Sequence, residues 1–261
     1  MATETTLSGP SFDLRGRVAL LSGAGRGIGL GIAQALAAHG AAVAIQDIDL
    51  SVAEVEADRI RSTGGRAIAL GGDILDLSLP RAAVDQTIEQ LGGLHVLINN
   101  ASIQSVQNWL DLTADEIERT LRANLTCPIL FAQAAVPHFQ RQRWGRILNI
   151  GSIQGLRGNA EMLPYAMSKA ALANMTRVLA RQHAGEGITA NLIAPGWFNT
   201  YRNRGDFPMP GALAEKGRRH IPIGRIGEPR DAAGLALLLC SPAGEYITGQ
   251  TVYVDGGLSA K

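Results

Sequence analysis

Arg17-Val-Ala-Leu-Leu-Ser-Gly-Ala-Gly-Arg-Gly-Ile-Gly29 decides the reading of this chain. Arg17 to Leu21 is a short apolar run of strand length. Glycines then crowd the stretch Ser22 to Gly29, and a helix-like stretch runs from about Gly27 to Ala38, ended by Gly40. A strand that feeds a glycine turn and then a helix aims backbone N–H groups and the positive helix end at a diphosphate. The spacing is not G-x-G-x-x-G, because Ile28 and Leu30 stand where the third Gly would fall. It is not a P-loop, because no Gly-Lys-Ser/Thr follows. It matches G-x-x-x-G-x-G at Gly23, Gly27 and Gly29. A glycine-rich turn without a ligand is the bland alternative. The order strand, glycines, helix argues against it.

Outward from that turn the pattern repeats. Strands are predicted at Ala42–Ile45, Ala67–Leu70, His95–Ile98, Arg146–Ile150, Ile188–Ile193 and Thr251–Val254. Helices are predicted at Ser51–Ser62, Arg81–Leu91, Pro164–His183 and near Asp231–Leu239. Another opens at Thr113-Ala-Asp-Glu116, which has capping-box spacing. Pro128 should bend or interrupt that long helix. Pro195 to Pro229 reads as an irregular stretch rich in Pro, Gly and Arg. Strands alternating with crossover helices imply a seven-stranded, mainly parallel sheet with helices on both faces, an α/β doubly wound fold. One domain is expected over residues 13–261, behind a flexible tail 1–12, with 195–229 as a lid over the substrate. In such sheets ligands bind beyond the carboxyl ends of the strands.

Composition narrows the class. Of 261 residues, 46% are hydrophobic and 18% charged, enough for a packed core. The net charge of +1 gives no field for nucleic acid. Cys127 and Cys240 are too few for a disulfide framework or a multi-cysteine metal site. The five histidines, His39, His95, His138, His183 and His220, show no metal spacing, and no metal is expected. Met1–Pro10 holds neither a basic residue nor an apolar run, so a signal peptide is not expected. No apolar run reaches membrane-spanning length. A cytoplasmic protein without a membrane or nucleic-acid partner is expected.

Chemically capable residues gather just after the strands. Asp47 follows the second, where a carboxylate is placed to bind a ribose hydroxyl and to repel a 2′-phosphate. NAD is therefore expected over NADP. Asp49 competes for that role, and Arg26 could pair a phosphate. Asp73 follows the third strand and Asn99-Asn100-Ala-Ser102 the fourth, to touch adenine or to hold loops. Ser152 follows the fifth.

Tyr165 and Lys169 stand at i and i+4, on one face of the next helix. The chain prefers arginine: of 24 basic residues only Lys169, Lys216 and Lys261 are lysines. Yet it puts Lys169 into an apolar stretch. A tyrosine packed beside a snorkelling lysine is the bland reading. The chemical reading is proton handling. Bringing a phenol from a pKa near 10 to about 7 takes roughly 4 kcal/mol, and a nearby ammonium works in that direction. The Ser152 hydroxyl can hold a substrate oxygen while Tyr165 moves its proton. Ser152 lies in no G-x-S-x-G elbow, which argues against a hydrolase.

These residues together resemble the classical short-chain dehydrogenases/reductases over about Leu14 to Gly257. The matching pieces are Ser22-Gly23-x-x-x-Gly27-x-Gly29, Asp73, Asn99-Asn100-Ala101, Asn124, Ser152, Tyr165-x-x-x-Lys169, Pro195-Gly196 and Thr200. The resemblance implies a Rossmann domain that interconverts a secondary alcohol and a ketone. It implies that Tyr165 is the general acid/base and that Ser152 positions the substrate oxygen. Lys169 would hold the nicotinamide ribose and lower the Tyr165 pKa, and Asn124 would anchor a water leading to Lys169. The expected cofactor-binding set is Ser22, Gly23, Arg26, Gly27, Ile28, Gly29, Asp47, Asp73, Ile74, Asn100, Ala101, Tyr165, Lys169, Pro195, Gly196 and Thr200. Homotetramers or homodimers are usual. The departure is Ser102, where the family has Gly: a side chain stands where backbone commonly approaches the cofactor or substrate.

The loops Ile103–Trp109, Ile153–Met162 and Trp197–Ile221 should line the substrate pocket. Gln104, Gln154, Trp197, Tyr201 and Arg202 are the expected contacts, with Gln107, Asn108, Arg157, Asn159 and Arg204 beside them. The set suits a polyol, a sugar or a sugar acid. An NADPH-dependent 3-oxoacyl-acyl-carrier-protein reductase is the alternative, and a non-catalytic dinucleotide-binding protein is a second.

Overall fold

A computed structural model describes residues 11–201 and 211–260. Seven strands form one sheet: β1 (Val18–Ser22), β2 (Ala42–Asp47), β3 (Ala67–Gly71), β4 (Val96–Asn99), β5 (Gly145–Ile150), β6 (Ile188–Pro195) and β7 (Thr251–Val254). Their order is β3-β2-β1-β4-β5-β6-β7. Every pairing is parallel, so the sheet is wholly rather than mainly parallel. Parallel strands need crossovers, and helices supply them.

The helices are α1 (Gly27–Ala38), α2 (Leu50–Ser62), α3 (Leu79–Leu91), α4 (Ala114–Leu121), α5 (Cys127–Gln142), α6 (Leu163–His183), α7 (Ala212–His220) and α8 (Pro229–Cys240). One sheet face packs against α1, α2 and α8 through Ile32, Leu36, Ile60 and Leu239. The other packs against α3, α5 and α6 through Val84, Phe131, Phe139 and Ala180. The central strands β1, β2, β4, β5 and β6 are covered on both sides. Their near-continuous apolar sequence follows from that, because no side of the strand meets water.

The chain leaves β1 in one direction to β2 and β3, then returns to place β4 on the other side of β1. That reversal opens a crevice at the carboxyl ends of β1 and β4.

One expected interruption takes a particular form, and one stretch differs from expectation. The long helix from Thr113 is interrupted ahead of Pro128: the segment Arg122–Thr126 winds as a π-helix, and Cys127 N–H donates to the Arg122 carbonyl five residues back. Pro128 sits in the first turn of α5, where no intrahelical N–H is needed. The stretch after Pro195 is not all irregular, since it contains α7. Few apolar residues mark that helix. Glu215 pairs with Arg218 at 2.6 Å and Arg219 at 2.7 Å along its exposed side. Of the stretch 195–229, where a lid is expected, Phe198 and Gly227 are joined by a bridge.

Among the described residues, no helix is long and apolar enough to cross a membrane. Among them, too, no cluster of His, Cys, Asp or Glu could hold a metal ion.

Candidate active site

A cavity of about 840 Å³ opens at the carboxyl ends of the strands. That is the scale of a site for a small molecule with its cofactor. The first wall is the glycine turn. Gly23, Arg26, Gly27 and Ile28 line it. Gly23 has φ +60°, and a Cβ there would stand 2.8 Å from Ala101 Cα. A side chain at Gly29 would stand 2.5 Å from Asn100 Nδ2 and 2.7 Å from the Gly23 carbonyl. Gly29 therefore lies behind the wall and permits close packing. Ser22 is also behind it. Its hydroxyl accepts from Asn100 N–H at 3.1 Å and Ala101 N–H at 3.2 Å, which fixes the loop after β4 against the loop after β1. Asn100 completes the joint by donating to the Ser22 and Gly23 carbonyls at 3.0 and 2.6 Å.

Asp47 ends β2 and faces the same cavity. Its carboxylate accepts from Gly25 N–H at 2.9 Å and Asp49 N–H at 3.2 Å, one bond to each oxygen. Two backbone donors leave lone pairs for further hydroxyl donors. Asp49, the competitor, is spent elsewhere. It caps α2, accepting from Val52 N–H, and pairs with Arg26 at 2.9 Å. Asp73 and Ile74, after the neighbouring strand β3, also line the cavity, with Asp73 accepting from Leu75 N–H at 2.9 Å. Sequence reasoning missed Gln46, which lines the cavity from within an apolar strand. Its Nε2 donates to the Gly72 carbonyl at 2.7 Å, while its buried Oε1 finds no donor among the described residues.

A dinucleotide fits this end. The first-turn N–H groups of α1 have no side-chain cap. Glycines keep the approach to them open. A carboxylate stands at the end of β2 and an arginine at the turn. That donor and acceptor set suits a diphosphate and a ribose diol.

The second wall carries the acid/base candidates. Ser152, Tyr165 and Lys169 all line the cavity. Ser152 follows β5, and its Oγ accepts from Gln154 N–H at 3.1 Å. Its own proton remains to be donated. Tyr165 and Lys169 are 7% and 3% exposed, on the face of α6 turned to the sheet. Lys169 Nζ donates to the Ile150 carbonyl at 2.8 Å and stands 5.6 Å from the Tyr165 ring centroid.

Asn124 stands behind this wall, inside the π-helical segment. Its Nδ2 donates to the Ile103 carbonyl at 2.9 Å and to Ser168 Oγ at 3.1 Å, and its Oδ1 accepts from Ile103 N–H at 2.9 Å. Ser168 Oγ in turn donates to the Tyr165 carbonyl at 2.7 Å. Single π-turns inside helices often sit at functional sites.

The third wall is Pro195, Gly196, Trp197, Thr200 and Tyr201. Lys216 of α7 rests 4.4 Å from the Trp197 ring centroid and also lines the cavity. Of the expected substrate contacts, Gln104, Gln154, Trp197 and Tyr201 are brought together with Asn159 and with Ser102, while Arg202 and Arg204 lie outside the described residues. Gln107 and Arg157 are not brought in. Gln107 bonds Glu116 at 3.1 Å, and Arg157 donates to the Leu258 carbonyl at 3.1 Å. Asn108 caps the turn Trp109–Asp111. Arg119, read from sequence only as part of a helix, reaches the cavity.

Comparison with known proteins agrees with this geometry. Residues 23–259 match the family model described as Enoyl-(Acyl carrier protein) reductase. A 3-oxoacyl-[acyl-carrier-protein] reductase of Aquifex aeolicus is 34% identical over 250 residues, covering 94% of this chain and 98% of its own. A short-chain type dehydrogenase/reductase from Mycobacterium marinum superposes with a TM-score of 0.87 at 35% identity, covering 96% of this chain and 98% of its own. A gluconate 5-dehydrogenase from Burkholderia cenocepacia, in complex with NADP and tartrate, gives 0.89 at 35% identity, covering 97% and 98%. The chain belongs to the short-chain dehydrogenase/reductase family, as an NAD(P)-dependent oxidoreductase acting on CH–OH groups.

Proposed function

We propose that this protein interconverts a secondary alcohol and a ketone on a polar small molecule, a polyol, sugar or sugar acid, with NAD as its preferred cofactor. The observation that carries the reading is the shared lining of one cavity by Ser152, Tyr165 and Lys169 opposite the glycine turn and Asp47.

The cofactor, when bound, supplies the acceptor or donor of a hydride at the carbinol carbon. The chain's own groups handle the proton and the positions. Ser152 donates its hydroxyl hydrogen to the substrate oxygen. Tyr165 takes the alcohol proton in oxidation and returns it to the forming alkoxide in reduction. Lys169 holds the phenolate form through its charge and orients the nicotinamide ribose, with one of its hydrogens fixed on the Ile150 carbonyl. Asn124 holds the loop after β4 and the start of α6 in register, and serves the water path to Lys169 that the family resemblance implies. Gly23, Arg26, Gly27 and Ile28 take the diphosphate end, Asp47 the adenosine ribose, and Asp73, Ile74, Asn100 and Ala101 the adenine side. Pro195, Gly196 and Thr200 meet the nicotinamide.

Polar lining supports the substrate class. Gln104, Gln154, Asn159, Arg119 and Lys216 are among the residues that line the cavity with Tyr165. The gluconate dehydrogenase with tartrate is a neighbour of that chemical kind. The Aquifex relative favours a second reading, an NADPH-dependent 3-oxoacyl-acyl-carrier-protein reductase. A panel of polyols, sugar acids and 3-oxoacyl thioesters decides between them, run with NAD(H) and NADP(H) and followed at the nicotinamide absorbance. Turnover of hydroxylated substrates with NAD supports the proposal. Turnover confined to 3-oxoacyl thioesters with NADPH replaces it. Cofactor binding without turnover on the whole panel would favour a dinucleotide-binding role. A homotetramer or homodimer completes the proposal, checked by light scattering.

A further inference from the structure

Arg26 lines the ribose end of the cavity and pairs with Asp49, which stands just outside the lining. Arg26 lines the cavity, one residue from Gly25, whose N–H binds the Asp47 carboxylate at 2.9 Å. A guanidinium there is a ready partner for a phosphate on the ribose that Asp47 would otherwise bind. Yet Arg26 Nη2 is 2.9 Å from Asp49 Oδ2, and its guanidinium carbon stands 5.7 Å from the Tyr201 ring centroid. Asp49 is a fixed partner. Its Oδ1 accepts from the Ser51 hydroxyl at 2.7 Å and from Val52 N–H as the cap of α2. The Ser51 hydroxyl first, then the Val52 N–H and Arg26, hold its carboxyl below the ordinary range, so it is ionised at neutral pH. The pair is only partly covered, at 45% and 39% exposed side chain, which keeps the arginine exchangeable.

We infer that Asp49 is a second specificity-determining residue: it draws the Arg26 guanidinium away from the ribose and so strengthens discrimination against a 2′-phosphate. The inference rests on the proposal that Asp47 faces the adenosine ribose. Asp47 excludes the phosphate by repulsion, while Asp49 withholds the cation that would attract it.

Binding alone tests this, by calorimetry of NAD+ and NADP+ with wild type, Asp49→Asn and the double variant Arg26→Gln/Asp49→Asn. Asparagine is as good a helix cap as aspartate, so α2 keeps its start. Asp49→Ser, a second capping residue, repeats the test should the asparagine variant fold poorly. In Asp49→Asn the ratio of the NADP+ and NAD+ dissociation constants should move toward NADP+ by roughly five- to tenfold, the scale of one exposed charge contact made and one removed. The double variant should lose that gain. An unchanged ratio in the capping variants overturns the inference. So does a gain that survives loss of Arg26, because removal of a negative charge would then explain it. The wild-type ratio judges the other reading: tighter NADP+ binding there overturns the proposed NAD preference, while the shift on substitution still judges Asp49.

Discussion

The side chain of Asn124 binds both backbone groups of Ile103: Oδ1 accepts from its N–H at 2.9 Å and Nδ2 donates to its carbonyl at 2.9 Å. Ile103 lies in the loop after β4 that walls the cavity. The same Nδ2 reaches Ser168, one residue before Lys169. One amide therefore joins the cofactor loop, the π-helical segment and the helix bearing Tyr165.

Asn124→Ala should remove three hydrogen bonds at a position 1% exposed and strand their partners. A loss of about 2 kcal/mol or more is expected in urea unfolding, since buried unpaired groups cost about 1–3 kcal/mol each. Ser168→Ala should cost less, about 1 kcal/mol. An Asn124→Ala protein with unaltered unfolding would show the tether to be idle.

Glycines should divide by what a methyl would meet. Gly29→Ala drives a Cβ to 2.5 Å from Asn100 Nδ2, so the joint between the two cofactor loops must open. NAD+ affinity should fall at least about tenfold, equivalent to roughly 1.4 kcal/mol. Gly234→Ala is the contrast. It lies exposed inside α8 with nothing within 4 Å of the added methyl. It should stabilise by about 0.5–1 kcal/mol and leave NAD+ binding alone, because Gly is a poor helix former. Calorimetry and thermal melts read both.

Acid should weaken the fold partly through His95. Its Nδ1 accepts from Val18 N–H at 3.1 Å, which requires the neutral ring. Burial first, and Arg17 second, hold its pKa below the ordinary 6.5. A histidine with a lowered folded-state pKa contributes stability above the unfolded value and loses it as pH falls through the window below about 6.5. His138 is lowered in the same direction, chiefly by burial. His95→Gln should therefore reduce, without abolishing, the drop in melting temperature between about pH 7 and pH 5.5. An unchanged slope would remove His95 from the account.

Much of the fold was legible because the signals are local. Apolar runs of strand length, glycine ends and the Thr113–Glu116 box are each readable within a few residues, and the box forms as expected, with Glu116 N–H on Thr113 Oγ1 at 3.3 Å. The i, i+4 spacing placed Tyr165 and Lys169 on one face, where both line the cavity. What depends on neighbours distant in sequence was not legible. Gln46 falls just past the predicted strand Ala42–Ile45 and belongs to no motif, and only the fold brings the Gly72 carbonyl to it. Arg119 lies in the helix predicted from Thr113 and belongs to no motif, and only the fold brings it to the cavity. Ser22 and Gly29 both meet Asn100, which is distant along the chain, a contact that the glycine motif alone does not show. Helix α7 has few apolar residues in its sequence, and carries two exposed charge pairs and the Lys216–Trp197 contact.

In the proposed reaction the Tyr165 phenol moves the substrate proton, and removing that one oxygen tests it. Tyr165→Phe should keep the fold and NAD+ binding while kcat on the best substrate of the panel falls at least about 100-fold, the usual scale of an acid/base group. A variant that binds NAD+ normally and turns over at close to the wild-type rate would contradict the account.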